Sequence, residues 1–327
     1  MHYRTMLRAA VTTLALLAAG CATAKGSGLV FVSSEKDHAL TVVDPNTLTV
    51  LGTVPTCKRP RHMQRLPGGD RMLVACGESG QADVIDLATR KSVARLPLGN
   101  DPEAFDLSLD GRTLYVSNED DSALSFIDVA SGKRLKSVPV GEEPEGVKVS
   151  PDGKRVYVTS EVANAVHVID TASGEVVKNI AVAKRPRRLA FTPDGAELWV
   201  TNELASSVSV ISTRELAVTH TVKFELKGMR ADDISPVGLA MAPDGKTVYV
   251  GLGRANHVAW VDVASKTVTR QVLVGKRAWG VTLSHDGSRL YVANGLSDDM
   301  TVIDVAGARA LKTIPVGRVP YAVLVDD

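Results

Sequence analysis

One short segment of the sequence recurs at a constant spacing, and this repeat limits the possible folds more than any other feature. Each copy is similar to Leu114–Ser117, which reads Leu-Tyr-Val-Ser. Seven copies start at Val30, Met72, Leu114, Val156, Leu198, Val248 and Leu290. Successive copies are 42 residues apart, except that 50 residues separate the fifth copy from the sixth. A period of about 40–50 residues with several short strands in each unit is typical of a β-propeller blade.

The turns inside each repeat predict how its strands are connected. Pro151–Lys154 reads Pro-Asp-Gly-Lys, and its Asp-Gly pair suits the positive dihedral angles of a tight hairpin turn. The chain begins with the second strand of a blade near Leu29 and ends with an inner-type strand at Tyr321–Val325. We therefore predict an all-β fold, a seven-bladed β-propeller of four-stranded antiparallel blades, closed by the C-terminal strand joining the N-terminal blade.

Residues 1–24 have the features of an export signal peptide. Arg4 and Arg8 supply a positive end, and a short apolar run, Ala9–Ala19, follows them. This run is too short to span a bilayer as a helix. The sequence therefore predicts that the protein leaves the cytoplasm.

Two cleavage sites compete at the end of this signal. Ala22–Ala24 has the small residues of an ordinary cleavage site, whereas Leu17–Cys21 is similar to a bacterial lipobox. Cleavage at the lipobox would remove residues 1–20 and leave Cys21 lipidated. In either case we predict that residues 25–327 form a single propeller domain.

The charge of the chain excludes some classes of partner. The sequence has 38 basic and 37 acidic residues, so no global field attracts nucleic acid or an anionic membrane. We expect no nucleic-acid partner, membrane contact only through a lipid on Cys21, and a monomer.

Two cysteines remain in the predicted domain. Cys57 stands where other repeats have Gly99 or Gly141, and Cys76 stands where they have Asn118 or Ser160. Both departures fall beside one inner strand, and an oxidising compartment permits a disulfide. The alternative is two unrelated buried thiols, and the distance between the two Cα atoms decides between them.

The loops that lead into the inner strands, together with those after the second strands, lie on one face of the predicted ring, here called the variable face. The Pro-Asp-Gly turns lie on the opposite face, here called the turn face. Because chemistry varies only on the variable face, we place the candidate ligand site there. The candidate ligand-binding residues are Arg61, His62, Glu103, Glu145, Arg187, Arg188, Arg277, Trp279 and Tyr321.

These candidate residues allow two interpretations. Arginines bind carboxylates in bidentate fashion, and the rings of Trp279 and Tyr321 can stack on a flat ligand. Alternatively, the arginines pair with glutamates that follow the second strands around the rim, namely Glu35, Glu78, Glu119, Glu161 and Glu203.

The eight extra residues of the fifth repeat fall within Lys223–Ser235, on the variable face. Long loops over a binding site are often lids or docking arms. The candidate lid residues are Phe224, Met229, Arg230 and Asp232. The alternative is an insertion that the fold tolerates.

Motifs of catalysis and cofactor attachment are not found in the sequence. It has no Cys-x-x-Cys-His run, zinc-type cluster, nucleophile elbow or phosphate loop. We therefore predict no catalytic residue and no metal site, although His62 with neighbouring glutamates would offer metal ligands.

The motifs Leu-Tyr-Val-Ser-Asn at 114–118, Phe-Ile-Asp at 126–128, Val-Pro-Val-Gly at 138–141 and Pro-Asp-Gly at 151–153 resemble the YVTN family of β-propeller repeats. More narrowly, the whole mature chain resembles seven-repeat propellers associated with PQQ-dependent alcohol catabolism. The features that carry this resemblance are 59–63, 101–103, 185–188 and the enlarged fifth repeat ending at 235–238.

This resemblance implies a non-catalytic accessory protein of the periplasm, soluble or lipid-anchored. It further implies a quinoprotein dehydrogenase or transport components as partners. PQQ is planar and carries three carboxylates, so it is the bound ligand that we expect at the arginine-rich variable face. The alternatives are an envelope protein–protein scaffold and a lactonase-like propeller hydrolase.

Overall fold

The computed structural model describes residues 26–327, which form 28 β-strands and three single-turn 3-10 helices. The strands of the first four blades are β1 Leu29–Ser34, β2 Ala39–Asp44, β3 Thr49–Pro55, β4 Pro60–Arg65, β5 Arg71–Cys76, β6 Gln81–Asp86, β7 Lys91–Pro97, β8 Pro102–Leu107, β9 Thr113–Asn118, β10 Ala123–Asp128, β11 Arg134–Pro139, β12 Pro144–Val149, β13 Arg155–Ser160, β14 Ala165–Asp170 and β15 Val176–Ala181.

The remaining strands are β16 Pro186–Phe191, β17 Glu197–Asn202, β18 Ser207–Ser212, β19 Ala217–Lys223, β20 Pro236–Met241, β21 Thr247–Leu252, β22 His257–Asp262, β23 Thr267–Leu273, β24 Ala278–Leu283, β25 Arg289–Asn294, β26 Asp299–Asp304, β27 Arg309–Pro315 and β28 Pro320–Asp326. The helices are Gly77–Ser79, Glu203–Ala205 and Ala231–Asp233. Among residues 26–327, no helix has the length and apolar character needed to cross a membrane.

The strands form seven antiparallel sheets of four, and each sheet is one blade. The predicted seven-bladed propeller is therefore confirmed. In blade 1 the strand order is β28-β1-β2-β3, so the last strand of the chain pairs with the first, with Val30 opposite Val325. This pairing closes the ring as predicted. Residues 1–24 and Cys21, which carry the predicted signal and lipidation site, lie outside the described residues.

The turn between the inner strand and the second strand shows why Asp-Gly recurs. In blade 4 the Gly153 N–H donates to Ser150 O at 2.8 Å, and Gly153 has a φ of 71°. This left-handed conformation favours glycine. The Asp152 carboxylate accepts a hydrogen bond from the Lys154 N–H at 3.1 Å, which fixes the turn.

Each blade is buried on both faces by its neighbours. Between blades 5 and 6, for example, Trp199, Val208 and Val250 pack in one cluster and are fully buried. Fully burying a side chain of this kind stabilises the fold by about 1.5–3 kcal/mol. The aliphatic second and third strands of the repeats therefore supply the packing that holds neighbouring blades together.

The small residue that follows Pro-x in most inner strands is needed for close packing of these strands. A Cβ atom on Gly146 would collide with the carbonyl of Arg187 in the next blade, and one on Gly238 would collide with the carbonyl of Trp279. Glycine therefore lets neighbouring inner strands approach around the channel.

A disulfide joins Cys57 to Cys76, with 5.8 Å between their Cα atoms. It links the loop before β4 to the end of β5 within blade 2. In blade 3 the equivalent loop is held by the Asn118 side chain, which donates to Leu98 O at 2.9 Å and Asn100 O at 3.0 Å. Blade 2 thus uses a covalent bond where blade 3 uses two hydrogen bonds.

We expect the variant with Cys57→Ser and Cys76→Ser to lose about 3 kcal/mol of unfolding free energy, because this cross-link closes a loop of 19 residues. Cys57→Gly with Cys76→Asn installs the blade 3 pair and should lose less. Chemical denaturation of both variants, with and without reductant, checks this. If the serine variant matches the oxidised wild type, the disulfide does not stabilise the fold.

Candidate functional site

The second residue of each inner strand lies at the end of the channel on the variable face. In blades 2 to 5 these residues are Arg61, Glu103, Glu145 and Arg187, and in blades 7 and 1 they are Trp279 and Tyr321. The four charged side chains are all buried, and Glu103 and Glu145 are only 0% and 2% exposed. Buried charges are stable only when they are paired, so their partners determine what this end of the channel can do.

Arg187 is surrounded by three carboxylates. Its guanidinium lies 3.2 Å from Glu145, 2.5 Å from Glu161 and 2.8 Å from Glu203. It also lies over the ring of Trp279, 5.1 Å from the centroid. Nε and Nη1 of this guanidinium are therefore already engaged by carboxylates of the protein.

Arg61 occupies an equivalent position on the other side of the channel. It donates to Glu35 at 2.7 Å, contacts Glu103, and stacks over the ring of Tyr321 at 4.5 Å. The Tyr321 hydroxyl in turn donates to Glu145 at 3.0 Å, which joins the two halves of the network. We call this group of Arg61, Arg187, Glu103, Glu145 and Tyr321, together with Glu161 beside Arg187, the plug.

Further arginines surround the plug at the rim. Arg59 lies 2.8 Å from Asp101, Arg185 lies 2.7 Å from Glu161, and Arg277 lies 3.5 Å from Glu203. The pairing of arginines with rim glutamates, left open by the sequence, is the arrangement that the structure has. Glu78 alone among the five rim glutamates is exposed at the surface.

A cluster of three acidic residues at this rim offers metal ligands. Oxygen atoms of Asp101, Glu103 and Glu119 lie within 4.8 Å of one another. Arg59 and Arg61 already neutralise two of the three carboxylates, however. Burial raises the pKa of Glu119, which favours its neutral form.

Burial and nearby charges shift the pKa values of Glu145 and Glu161 in opposite directions. Burial alone would raise the pKa of Glu145, but the charges of Arg188, Arg187 and Arg61 lower it to about 2. Burial and then the charge of Glu145 raise the pKa of Glu161 to about 8. The plug therefore holds a proton near neutral pH while its central carboxylate stays ionised.

Beneath the plug lies a cavity of about 770 Å³ that follows the channel axis. Trp279, Tyr321 and Arg188 line its closed end, and the Pro243 and His285 turns line its other end, at the turn face. A second cavity of about 770 Å³ adjoins it at the turn face and shares its lining residues Gln64, Arg65, Lys148 and Ala190. The plug thus closes the channel toward the variable face, and the cavity extends to the turn face.

Polar side chains lie where the two cavities meet: Gln64 and Lys148 line both, and Asp106 lines the second. Asp106 accepts hydrogen bonds from Gln64 at 2.9 Å and from the Val149 N–H at 2.9 Å, and its carboxylate lies 3.1 Å from Lys148. Burial would raise the pKa of Asp106, but Lys148 and these hydrogen bonds lower it. Burial and the charge of Arg188 lower the pKa of His62 to about 3, so its imidazole is neutral.

Gln64, Asp106 and Lys148 were missed by the sequence analysis. They occupy the fifth position of inner strands β4, β8 and β12. The same position is apolar or small in three other blades, at Ala190, Ala240 and Leu324. Three consecutive polar residues at this position were the signal that could have located them.

The candidate lid segment is anchored at both ends. Phe224 and Ile234 are 2% and 1% exposed and pack with Trp199 between blades 5 and 6. Met229 and Asp232 are exposed, and Arg230 pairs with Asp233 at 2.9 Å on the surface. None of the described residues 223–235 lines the central cavity. Phe224 therefore acts as a core residue here.

Two family profiles match parts of the chain. That of YNCE-like β-propellers matches residues 71–197, and that of the seven-bladed β-propeller lactonases matches residues 176–314. The chain is a β-propeller protein. Each match spans less than half of it. No curated protein matches the sequence.

Solved structures give the same fold. A chain of Kuenenia stuttgartiensis hydrazine synthase is 26% identical, with a TM-score of 0.76 over 85% of this chain and 93% of that chain. The periplasmic gluconolactonase of Pseudomonas aeruginosa is 20% identical, with a TM-score of 0.77 over 90% of this chain and 98% of that chain. At this level of identity the second likeness shows the fold alone.

Proposed function

We propose that this β-propeller is an exported, non-catalytic protein that binds a small carboxylated ligand in its central channel. The cavity of about 770 Å³ is the observation that carries this proposal. Its size lies within the range of about 300–1,000 Å³ typical of small-molecule sites. Its lining is also typical, since a small number of polar groups lie among apolar side chains.

The protonation states of the cavity favour binding over catalysis. Asp106, whose pKa is lowered, and His62, whose pKa is about 3, are both weak bases at neutral pH. An efficient general base has a pKa near the operating pH. Neither side chain meets this requirement.

We further propose that the ligand is PQQ and that the protein assists periplasmic PQQ-linked alcohol oxidation as a monomer. The sequence resemblance supports this role, with a quinoprotein dehydrogenase or transport components as partners. Lys148 and Arg188 line the cavity and supply cations for a planar tricarboxylate. A soluble or lipid-anchored periplasmic location is part of the same proposal.

Titration calorimetry of the chain without residues 1–24 against PQQ tests this function. We expect binding with a dissociation constant in the micromolar range or tighter. Absence of heat at high protein concentration would overturn ligand binding and favour a protein-docking scaffold instead. Substitution of Arg187 is unsuitable as a control, because it would strand three buried glutamates of the plug and its rim.

A lactonase-like hydrolase is the second candidate function. The lactonase profile matches residues 176–314, a range that includes the cavity residues Arg188 and Trp279. Hydrolysis of sugar lactones, followed by acid release at constant pH, tests this candidate. Turnover that is lost in Asp106→Asn would replace the binding function with the enzymatic one.

A further inference from the structure

The closed end of the cavity holds two hydrogen-bond donors that the protein leaves unpaired. Arg188 Nη1 and Trp279 Nε1 are buried atoms without a hydrogen-bond partner among residues 26–327. An unsatisfied buried donor costs about 1–3 kcal/mol, so such groups require an explanation. A ligand that accepts hydrogen bonds at this end would satisfy both.

The two donors belong to the same small region. The Arg188 guanidinium lies 5.2 Å from the centroid of the Tyr321 ring, and the Trp279 ring centroid lies 5.9 Å from that of Tyr321. Both residues line the same cavity. His62 lines it too, and its neutral imidazole adds one donor and one acceptor.

The positive charge of Arg188 is only partly neutralised by the protein. One oxygen of Glu145 lies 3.2 Å from Arg187, 3.1 Å from Arg188 and 3.0 Å from the Tyr321 hydroxyl. Since one carboxylate serves two arginines, it cannot neutralise both. Arg187 has two further glutamates, whereas Glu145 is the one carboxylate paired with Arg188 among the described residues.

The opening at the turn face has a different character. Its rim includes the apolar side chains of Leu109, Pro151, Phe191 and Met241, with Ser108, Ser150 and Thr192 between them. Leu109 is 67% exposed and stands where Pro151 stands in the next blade. A ligand that enters here meets apolar walls first, then the Asp106–Lys148 pair, and the unpaired donors last.

We infer that Arg188 and Trp279 form an anion site at the closed end of the channel, which takes a carboxylate of a ligand entering from the turn face. This inference rests on the proposed function and specifies its recognition chemistry. The ligand class is a flat, partly apolar molecule whose leading end is a carboxylate. The plug behind the site keeps it closed from the variable face.

Calorimetry with PQQ and with its uncharged trimethyl ester tests the anion site. Loss of a charge-assisted hydrogen bond should weaken PQQ binding at least tenfold in Arg188→Gln and about fivefold in Trp279→Phe. Arg188→Lys, which keeps a cation beside Glu145, should fall between Arg188→Gln and the wild type. Arg59→Gln, at the rim of the variable face, should bind as the wild type does.

The outcomes separate this inference from the proposed function. If the wild type binds PQQ but Arg188→Gln binds equally well, or if the ester binds as tightly as the acid, the anion site is wrong and the binding function stands. If the wild type does not bind PQQ, both are overturned. Thermal unfolding of each variant shows whether a loss of binding reflects a loss of fold.

Stopped-flow association tests the side from which the ligand enters. Leu109→Glu places a negative charge at the turn face, and Leu204→Glu places the same charge in an exposed loop of the variable face. At low salt we expect Leu109→Glu to slow PQQ association about threefold or more, and Leu204→Glu to leave it unchanged. The reverse pattern would overturn entrance from the turn face.

Discussion

Deletion of Tyr321–Asp327 should lower the thermal midpoint by more than about 10 °C or abolish cooperative unfolding. The deletion removes nearly all of β28, whose Val323 and Leu324 are buried and pair with β1. It also removes Asp326, which is fully buried at the side chain and lies 2.9 Å from Arg65. Several buried side chains at about 1.5–3 kcal/mol each form a large share of a total stability of about 5–15 kcal/mol.

The physical reason lies in ring closure as well as in the lost contacts. Without β28, the β1 strand becomes an exposed edge inside the channel, and blade 1 no longer packs on both neighbours. Removal of Asp327 alone is the control, because β28 ends at Asp326. Differential scanning calorimetry measures both variants. A shift below about 3 °C for the longer deletion would show that blade 1 does not depend on β28.

The regular parts of this fold were predictable because they repeat. A period of 42 residues fixes the number of blades, and each Asp-Gly turn fixes one hairpin. The closing strand was predictable for the same reason, since an unpaired inner strand at one end of the chain matches a blade that lacks one at the other.

The site was not predictable to the same degree, because pairing between blades depends on distances in space. The sequence names Arg187 and Glu161 as candidates, but it does not show that one guanidinium contacts Glu145, Glu161 and Glu203 together. Nor does it show which end of the channel is closed. Asp106 was not predicted as a site residue because a single polar residue in a strand has no periodic signal. Its position becomes informative only when it is compared with the equivalent positions of the adjacent blades.

Substitution of Arg187 by methionine should destabilise the protein by about 3–5 kcal/mol, the second largest effect that we expect. Methionine has a similar length but leaves Glu145, Glu161 and Glu203 without their shared cation. The substitution strands the ionised Glu145 at low dielectric and leaves the other two carboxyl groups without their hydrogen-bond donor. Chemical denaturation measures the loss, and Arg112→Met, which removes an exposed arginine beside the exposed Asp110, is the matched control. If the two variants lose the same free energy of unfolding, removal of a buried arginine from the plug is no more destabilising than removal of an exposed arginine.

Glu161 gives this plug a pH dependence with a definite sign. Its pKa is about 8 in the folded protein against an ordinary value of 4.5, so the folded state binds the proton more tightly. The stability from this proton is complete below about pH 4.5 and is lost as the pH rises through 8. The unfolding free energy of the wild type should therefore fall between pH 5 and pH 9, and Glu161→Gln, which mimics the protonated form, should fall less. Glu175→Gln, at an exposed turn, should follow the wild type. If Glu161→Gln and the wild type lose the same unfolding free energy between pH 5 and pH 9, Glu161 is not protonated in the folded protein.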